Sequence, residues 1–464
     1  MNLKISWCSG LALTVLLVSV VLTACGEKTT TTSREATAVA LLRFNANGTP
    51  DITNLVGGTG LVTTDVNPSQ DDIAFATVLQ PDGKIIAVGT SFTTPARIVV
   101  IRYNANGAPD LTFGSSGTTV TPLLSADASA FAATLQADGK LLVAGRSSPL
   151  SGGSSFLLLR YHTNSITVTG TPGTLDTGFG TGGTGIVTTP IPSGSSTSAN
   201  GIALSGTNIV LAGQSKIGGK FQIVLAQYTS TGALDTAGFG VPNGYVITPI
   251  GSLDAAAAAL AVQPADSKIV VAGLAGNFVS QIWDVALLRY NANGSLDTDP
   301  TTGFGGGTGI VTTDIGSSSN YANAVAIQGD GKIVVVGNAF VNSFAATSDI
   351  AVLRYNTNGS LDTDPTTGFG GGTGIVTTNV GAFDNGFAVA VQPDNKIVVA
   401  GNADAGTGDR LALLRYNANG SLDFGFGTGG IVTRTASGPS TIAGAFGVAL
   451  QPQPGGEIVV VGYD

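Results

Sequence analysis

Short apolar runs alternate with turns rich in glycine and polar residues along most of this chain. Four such runs lie between Tyr321 and Thr378, at 322–328, 333–336, 349–355 and 375–378. Gly329 to Lys332 separates the first two runs, and the long glycine-rich stretch 356–374 separates the last two. Runs of this length, rich in valine, isoleucine and threonine, indicate β-strands, and Gly-Asp-Gly-Lys indicates a tight hairpin. The segment therefore predicts four short antiparallel strands.

The same four-strand pattern recurs about every 60 residues, which indicates a repeat architecture. The third run of each unit ends in Arg-Tyr-Asn-x-Asn-Gly or a variant, with its arginine at Arg43, Arg102, Arg160, Arg289, Arg354 and Arg415. Gln227 replaces the arginine in one copy. The first hairpin turn resembles Gln-Pro-Asp-Gly-Lys and begins at Gln80, Gln136, Gln263, Gln328, Gln392 and Gln451, with a degenerate copy at 205–208.

Four antiparallel strands per unit are typical of a propeller blade. The first run of most units is rich in small residues, as in 256–259, which suits a strand at a crowded central axis where bulky side chains do not fit. The chain begins with a third and a fourth run, at 37–44 and 61–64, and ends with a first and a second, at 446–451 and 458–462. We therefore predict an all-β, seven-bladed β-propeller closed by two C-terminal and two N-terminal strands, which removes the two unpaired edges that an open array would expose.

The repeated motifs resemble those of the delta-60 repeat family. They follow the patterns Gln-Pro-Asp-Gly-Lys-Ile-Val-Val-Ala-Gly, Leu-Arg-Tyr-Asn-x-Asn-Gly-Ser-Leu-Asp and Phe-Gly-x-Gly-Gly, and the resemblance extends from Thr37 to Gly462. That resemblance implies β-propeller repeats of an exported bacterial protein. It implies no particular reaction.

Residues 1–24 have the pattern of an export signal, and residues 37–464 form the predicted propeller. Lys4 precedes an apolar stretch, 11–22, that is too short to span a membrane, and Leu-Thr-Ala-Cys follows it. This ending resembles a bacterial lipobox, which implies lipid attachment at Cys25 and a polar tether over 25–36. An ordinary signal peptide with an incidental cysteine is the alternative. Gly26 in place of Asp favours, by resemblance, the outer membrane of a Gram-negative cell envelope.

The composition of the chain limits the classes of partner that the protein can bind. The chain has 67 glycines, few charged residues, a net charge of −9 and no cluster of lysine or arginine. Nucleic-acid binding needs a basic surface, so we expect no nucleic-acid partner. We expect a monomer that contacts the membrane through its lipid.

The sequence contains no complete set of residues for nucleophilic catalysis. His162 is the only histidine, and it occupies a turn position that is asparagine in other copies. A serine triad and a typical zinc site both lack partners. The recurring arginines invite a functional interpretation, but Asp297, Asp362 and Asp423 follow three of them by eight residues. We interpret these as structural ion pairs.

The asparagine-rich turns faintly resemble calcium loops. Asn291 to Asp297 places oxygen ligands at alternate positions beside a glycine. Asx-turns explain the same residues more simply, because neutral asparagine is a weaker ligand than a carboxylate. We predict no cofactor, with calcium as the alternative.

Two faces of the propeller differ in their connections. Hairpin turns and glycine-rich connections lie on one face, here called the turn face. The other, the variable-loop face, carries the connections between second and third strands and between blades, and is the predicted binding face. Weak metal-site candidates begin first strands there: Asp72, Asp127, Asp254 and Asp384. Weak ligand-binding candidates are the aromatics Trp283, Phe278, Phe340 and Phe344. Strand-initiating caps and blade packing are the alternatives for these two groups.

Two functional hypotheses follow. The first is a lipid-anchored envelope propeller that binds or scaffolds a protein or glycan, with no catalysis expected. The alternative is a calcium-dependent hydrolase or lyase with its site at the mouth of the central channel.

Overall fold

Seven four-stranded antiparallel sheets form a closed ring in the computed structural model. It describes residues 36–123, 126–149, 151–164, 170–277, 282–316, 318–342, 347–404, 408–435, 443–452 and 456–464. Apart from two short helical turns, Gly240–Gly244 and Phe369–Gly371, the regular structure in these ranges is β-strand. The predicted all-β, seven-bladed propeller is confirmed. No helix within the described ranges is long and apolar enough to cross a membrane.

The blades are numbered in chain order, and each contains four strands from the axis outward. Blade 1 contains β3 (Asp72–Leu79), β4 (Ile85–Ser91), β5 (Arg97–Tyr103) and β6 (Thr118–Thr121). Blade 2 contains β7 (Ala126–Leu135), β8 (Leu141–Pro149), β9 (Ser155–Tyr161) and β10 (Ile186–Thr189). Blade 3 contains β11 (Gly194–Ser205), β12 (Asn208–Ile217), β13 (Lys220–Tyr228) and β14 (Tyr245–Thr248).

Three further blades have the same arrangement. Blade 4 contains β15 (Asp254–Val262), β16 (Ile269–Asn277), β17 (Ile282–Tyr290) and β18 (Ile310–Thr313). Blade 5 contains β19 (Asn320–Ile327), β20 (Ile333–Asn342), β21 (Thr347–Tyr355) and β22 (Ile375–Thr378). Blade 6 contains β23 (Asp384–Val391), β24 (Ile397–Asp404), β25 (Asp409–Tyr416) and β26 (Ile431–Arg434).

Blade 7 combines both ends of the chain. It contains β27 (Gly444–Leu450), β28 (Ile458–Tyr463), β1 (Val39–Phe44) and β2 (Leu61–Thr64), in that order from the axis. Val39 pairs with Tyr463, and Phe44 pairs with Ile458. The two-plus-two closure is therefore confirmed, and it removes the unpaired edges that an open array would expose.

Second and third strands extend further than the apolar pattern predicted. In blade 5 the second strand was expected to end at Val336, but β20 continues to Asn342, which pairs with Thr347 of β21. The extension mixes polar and apolar residues, and Asn338 and Ala339 within it are buried. Polar residues interrupt the apolar run there, so the run alone predicts too early an end for the strand.

Apolar side chains from consecutive blades pack together between the sheets. Val270 and Leu287 of blade 4, for example, share a buried cluster with Val335 and Leu353 of blade 5. Both faces of the second and third strands are covered in this way, which explains their continuous apolar runs.

A tyrosine hydroxyl joins neighbouring blades at six of the seven junctions. Tyr290 donates to Thr248 Oγ1 of the preceding blade at 2.8 Å, and the other pairs are Tyr103–Thr64, Tyr161–Thr121, Tyr228–Thr189, Tyr355–Thr313 and Tyr416–Thr378. At the remaining junction, Phe44 takes the place of the tyrosine and Arg434 that of the threonine. Both partners are thus replaced together, so no buried hydroxyl loses its partner there.

Candidate functional site

The first strand of every blade contains a β-bulge. In β3, Ala74 pairs with Gly89 and Ala76 pairs with Val88, so Phe75 has no partner of its own. The same one-residue shift occurs in the inner strands of the other six blades. A bulge re-aims the side chain of its extra residue. Here it turns one side chain per blade towards the central axis.

The seven bulge residues line one cavity of about 110 Å³ on that axis. They are called the channel collar: Phe75, Phe131, Asn200, Ala258, Asn323, Phe387 and Phe446. The collar contains no charged side chain. Of its members, Ala258 and Phe446 are buried and the other five are partly exposed.

Four consecutive blades contribute phenylalanine to the collar. The ring centroids of Phe387 and Phe446 lie 4.8 Å apart, those of Phe446 and Phe75 lie 5.3 Å apart, and those of Phe75 and Phe131 lie 5.7 Å apart. Tilted and edge contacts at these distances are favourable for aromatic rings. Phe446 also stacks on Tyr463, with centroids 5.7 Å apart. The four phenylalanine rings, Phe75, Phe131, Phe387 and Phe446, are called the aromatic arc and form one side of the cavity.

The opposite side of the collar is polar and less bulky. Asn200 Nδ2 donates to Gln214 Oε1 at 2.9 Å and to the Ala257 carbonyl at 2.8 Å, while its Oδ1 accepts from Ser198 Oγ. Asn323 Nδ2 donates to the Gly386 carbonyl of the next blade at 2.9 Å.

Asn323 donates one hydrogen bond, from Nδ2, and its carbonyl oxygen remains available at the cavity. No donor among the described residues reaches Asn323 Oδ1, and the amide is only partly buried. A carbonyl oxygen has two lone pairs and accepts hydrogen bonds only. The cavity therefore has an apolar wall and a hydrogen-bond acceptor opposite it, without a formal charge.

The expectation that bulky residues do not fit at the axis is wrong for blades 1, 2, 6 and 7. The ring fits because small residues flank it and let the neighbouring backbones approach closely. A Cβ on Gly386, beside Phe387, would lie 2.5 Å from Val336 Cγ1 of blade 5. The sequence carries this signal as small-x-small at each bulge, for example Ala74-Phe75-Ala76 and Ala322-Asn323-Ala324.

The four acidic candidates bind backbone amides at the starts of their strands. Asp72 Oδ2 accepts from the Val66 and Asn67 amides at 2.8 Å each. Burial raises the pKa of Asp72, while these hydrogen bonds oppose that shift. Asp384 also binds the loop before its own strand, where its Oδ2 accepts from the Val380 amide at 2.6 Å.

The other two candidates bind the third strand or connection of the preceding blade. Asp127 Oδ1 accepts from the Ala96 amide at 2.7 Å, and Asp254 Oδ1 accepts from the Phe221 amide at 2.8 Å. These contacts support the interpretation of all four as caps. No group of three or more metal-binding side chains occurs among the described residues.

The two aromatic candidates within the described residues, Trp283 and Phe340, lie in different surroundings. Trp283 is 3% exposed and packs in a cluster with Phe221, Ala256 and Leu274. Its ring is therefore part of the blade interface and not a ligand platform. Phe340 is partly exposed and makes an edge contact with Tyr321 at 5.8 Å. Phe278, Phe344 and Cys25 lie outside the described residues.

The recurring arginines are structural, as the sequence indicated. Arg289 Nε donates to Asp297 Oδ2 at 2.7 Å, and Lys268 of the hairpin turn binds the same oxygen at 3.0 Å. The Arg289 guanidinium lies 4.9 Å from the centre of the Phe304 ring, and Nη1 donates to the Thr357 carbonyl of the next blade. Blades 1, 2, 5 and 6 repeat this arrangement. It fastens each blade to its neighbour on the turn face.

The oxygens of the asparagine-rich turns are occupied by their own loops. Asn293 Oδ1 accepts from the Ser295 amide at 3.0 Å and from Ser295 Oγ at 2.8 Å. Asp297, the last candidate ligand, is held by Arg289 and Lys268. These are the Asx-turns that the sequence suggested as the simpler explanation.

The fold and the collar define this chain as a seven-bladed β-propeller protein. Five of its segments match the family model described as a domain of unknown function (DUF5122) beta-propeller: 80–113, 136–165, 265–299, 328–364 and 392–426. The repeats are thus similar to that family. No curated protein matches the chain.

Several solved structures are similar to this chain at low sequence identity. The polysaccharide lyase Uly1 is 9% identical, with 93% of this chain and 99% of that chain covered and a TM-score of 0.42. The polysaccharide lyase PL25-ulvan lyase is 12% identical, with 84% of each chain covered and a TM-score of 0.40. Sqt1 from Chaetomium thermophilum is 12% identical, with 84% and 94% covered and a TM-score of 0.39. These similarities concern the fold alone.

Proposed function

We propose that this protein is a binding module of the cell envelope whose ligand occupies the channel collar. The observation that carries the proposal is the collar itself, in which seven bulges direct seven side chains into one cavity. Bulges cost regular pairing and are common beside functional sites. A concave, mostly apolar pocket with a few convergent polar groups is the usual form of a ligand site.

The sorting of collar residues into two arcs supports a binding role over simple filling of the axis. Aromatic side chains occupy four consecutive blades, and Asn200, Ala258 and Asn323 occupy the other three. Seven phenylalanines would fill the axis more completely, and seven alanines would leave it open. An arrangement with one apolar wall and one polar wall orients a ligand within the cavity.

The proposal keeps the lipid anchor at Cys25 and an outer-membrane location. Thr37, which precedes β1, donates its amide to Asp71 Oδ1 at 2.9 Å and accepts from the Asp72 amide, so the chain joins the fold on the variable-loop face. Residues 26–36 can span at most about 40 Å when fully extended. An anchored propeller would therefore turn its variable-loop face towards the membrane, and its turn face away from it.

The test compares the wild-type protein with a blocked channel. Phenylalanine is already present at the same bulge in four blades, so Ala258→Phe should fold while filling the open side of the collar. Leu111→Thr is the matched control: Leu111 is 74% exposed on the turn face, and other blades have threonine there, such as Thr298. Purified envelope glycans and a peptide library would be screened for binding by biolayer interferometry.

The proposal expects at least one ligand that binds the wild type and Leu111→Thr equally but fails to bind Ala258→Phe. Thermal melts of the three proteins would show that Ala258→Phe remains folded. Ligands that bind all three proteins equally would move the site from the channel to the variable-loop face. A screen in which the folded wild type binds nothing would contradict the proposed function.

A further inference from the structure

We infer that the channel collar accepts one neutral sugar ring, with its C–H face against the aromatic arc and a hydroxyl group donating to Asn323 Oδ1. This inference rests on the proposed function and deepens it, because it names the class of ligand. Three features of the collar carry it: the size of its cavity, its lack of charge, and the difference between its two walls.

The size of the cavity limits the ligand to a single ring. A void of roughly 150 Å³ lined by apolar side chains is enough to bind benzene. The collar cavity has a volume of about 110 Å³ and opens to solvent, so one six-membered ring fills it and extends beyond it along the axis. A folded protein segment or a helix does not enter a space of this size.

The lack of charge in the collar selects against ionised ligands. The seven lining residues are phenylalanine, asparagine and alanine. Moving a carboxylate, phosphate or ammonium group from water into such a site costs several kcal/mol unless an opposite charge meets it. A uronic acid or a phosphorylated sugar would find no such partner in the collar.

The two walls favour a sugar over a purely apolar ring. A pyranose ring has an apolar face of C–H groups and a rim of hydroxyl donors. The arc of Phe387, Phe446, Phe75 and Phe131 matches the apolar face. Asn323 donates from Nδ2 to the Gly386 carbonyl, and its Oδ1 is available to accept a hydrogen bond from a ligand hydroxyl.

Asn323 is therefore the specificity-determining residue of the collar. Asn323→Ala introduces the residue that blade 4 already has at this bulge, Ala258, which makes it a conservative change for the fold. It removes the acceptor assigned to the ligand, together with the bond to the Gly386 carbonyl, and changes no side chain of the aromatic arc. The change should lower affinity for a sugar without lowering affinity for an apolar ring.

The experiment titrates the purified protein with methyl glycosides of glucose, galactose, mannose and N-acetylglucosamine, followed by saturation-transfer NMR and calorimetry. Indole and methyl glucuronide serve as the apolar and the charged comparison. We expect at least one neutral glycoside to bind the wild type and the glucuronide not to bind. Asn323→Ala should weaken that glycoside about tenfold, the typical effect of losing one hydrogen bond, and leave indole unchanged. Ala258→Phe should abolish both.

The outcomes separate this inference from the proposed function. Binding of indole but of no glycoside, lost in Ala258→Phe, would overturn the sugar class and leave the channel as a binding site. Binding of a glycoside that is unaffected by both variants would place the sugar outside the collar and overturn the inference. A wild type that binds none of the probes would also overturn it, while the wider ligand screen decides the proposed function independently.

Discussion

The rings of Phe75 and Phe446 lie 5.3 Å apart at the axis, where the first strand of blade 1 meets the first strand of blade 7. One residue lies near the start of the propeller and the other near its end. Their contact belongs to the aromatic arc, so the same rings that line the proposed ligand site also hold the two ends of the chain together. The proposed binding in the channel and the closure of the ring would therefore depend on the same side chains.

Replacement of Phe446 should destabilise the whole ring. The side chain is 8% exposed and contacts Phe75, Phe387 and Tyr463. Phe446→Ala should lower the free energy of unfolding by about 3–5 kcal/mol, because it leaves a cavity among three aromatic rings. Urea denaturation monitored by circular dichroism measures this. Phe424→Ser is the control, since Phe424 is 79% exposed and its loss should cost no more than about 0.5 kcal/mol. Equal effects of both variants would refute a stabilising role for the arc.

The arginine contacts predict that the same kind of substitution costs more stability in blade 5 than in blade 3. Arg354→Ala removes the 2.6 Å bond from Nε to Asp362, the contact with Phe369 and the donor to the Ala418 carbonyl of blade 6. It should destabilise by about 1.5–3 kcal/mol, because the buried Asp362 loses one of its two cationic partners and keeps Lys332. Gln227→Ala in blade 3, where the arginine is missing, should cost about 1 kcal/mol. Urea denaturation of both variants provides the comparison, and a larger effect at Gln227 would contradict it.

The environment of Asp409 leads us to expect that the free energy of unfolding depends on pH. Burial, together with the nearby charge of Asp404, raises the pKa of Asp409 to about 6, against an ordinary value of 3.8. Between these two values the unfolded chain ionises while the folded protein keeps the proton, so this group favours unfolding increasingly as the pH rises from 4 to 6. Below pH 4 both states are protonated and the effect disappears.

Asp409→Asn removes this dependence. The variant should match the wild type near pH 4 and exceed it in the free energy of unfolding at pH 7, measured by urea denaturation at each pH. Because the two proteins share every other titrating group, their difference isolates Asp409. A difference that shrinks as the pH rises would have the opposite sign and would contradict the raised pKa.

Calcium should not stabilise the protein. The oxygens of Asn293 and Asp297 are already used by Ser295, Arg289 and Lys268. We expect equal melting temperatures in chelator and in saturating calcium. A ligand at a hundred times its dissociation constant stabilises by about 2.7 kcal/mol, which corresponds to a shift of about three degrees in a chain of this length and requires replicate scans. A reproducible increase would restore the metal-dependent alternative.

Lipid attachment at Cys25 can be tested in cells. The wild type should incorporate labelled palmitate and fractionate with the outer membrane, whereas Cys25→Ser should incorporate none. Acyl chains anchor through about 0.8 kcal/mol per buried methylene, so loss of the lipid should release the variant from the membrane fraction. Ser33→Ala in the tether is the matched control and should stay labelled. Labelling of Cys25→Ser would show that the lipobox resemblance is misleading.

The repeat itself determined most of the fold. An apolar run, a hairpin turn and an arginine motif recur with enough regularity to define each blade, and the split unit at the two ends defines the closure. The spacing of eight residues between Arg354 and Asp362 also predicted their ion pair, which the 2.6 Å contact confirms. These features are local in sequence or repeat along it, so the amino-acid pattern alone reveals them.

Only the tertiary structure decided where the candidate site lies. Phe75 and Trp283 are both large aromatics within strands, yet Phe75 faces the channel and Trp283 is buried between blades. Strand alternation cannot distinguish them, because a bulge shifts the register by one residue, and the small-x-small pattern at each bulge gains its meaning only once the pairing of the strands is known. The collar exists only once seven blades bring seven bulges to one axis, which is a property of the closed ring and not of any one repeat.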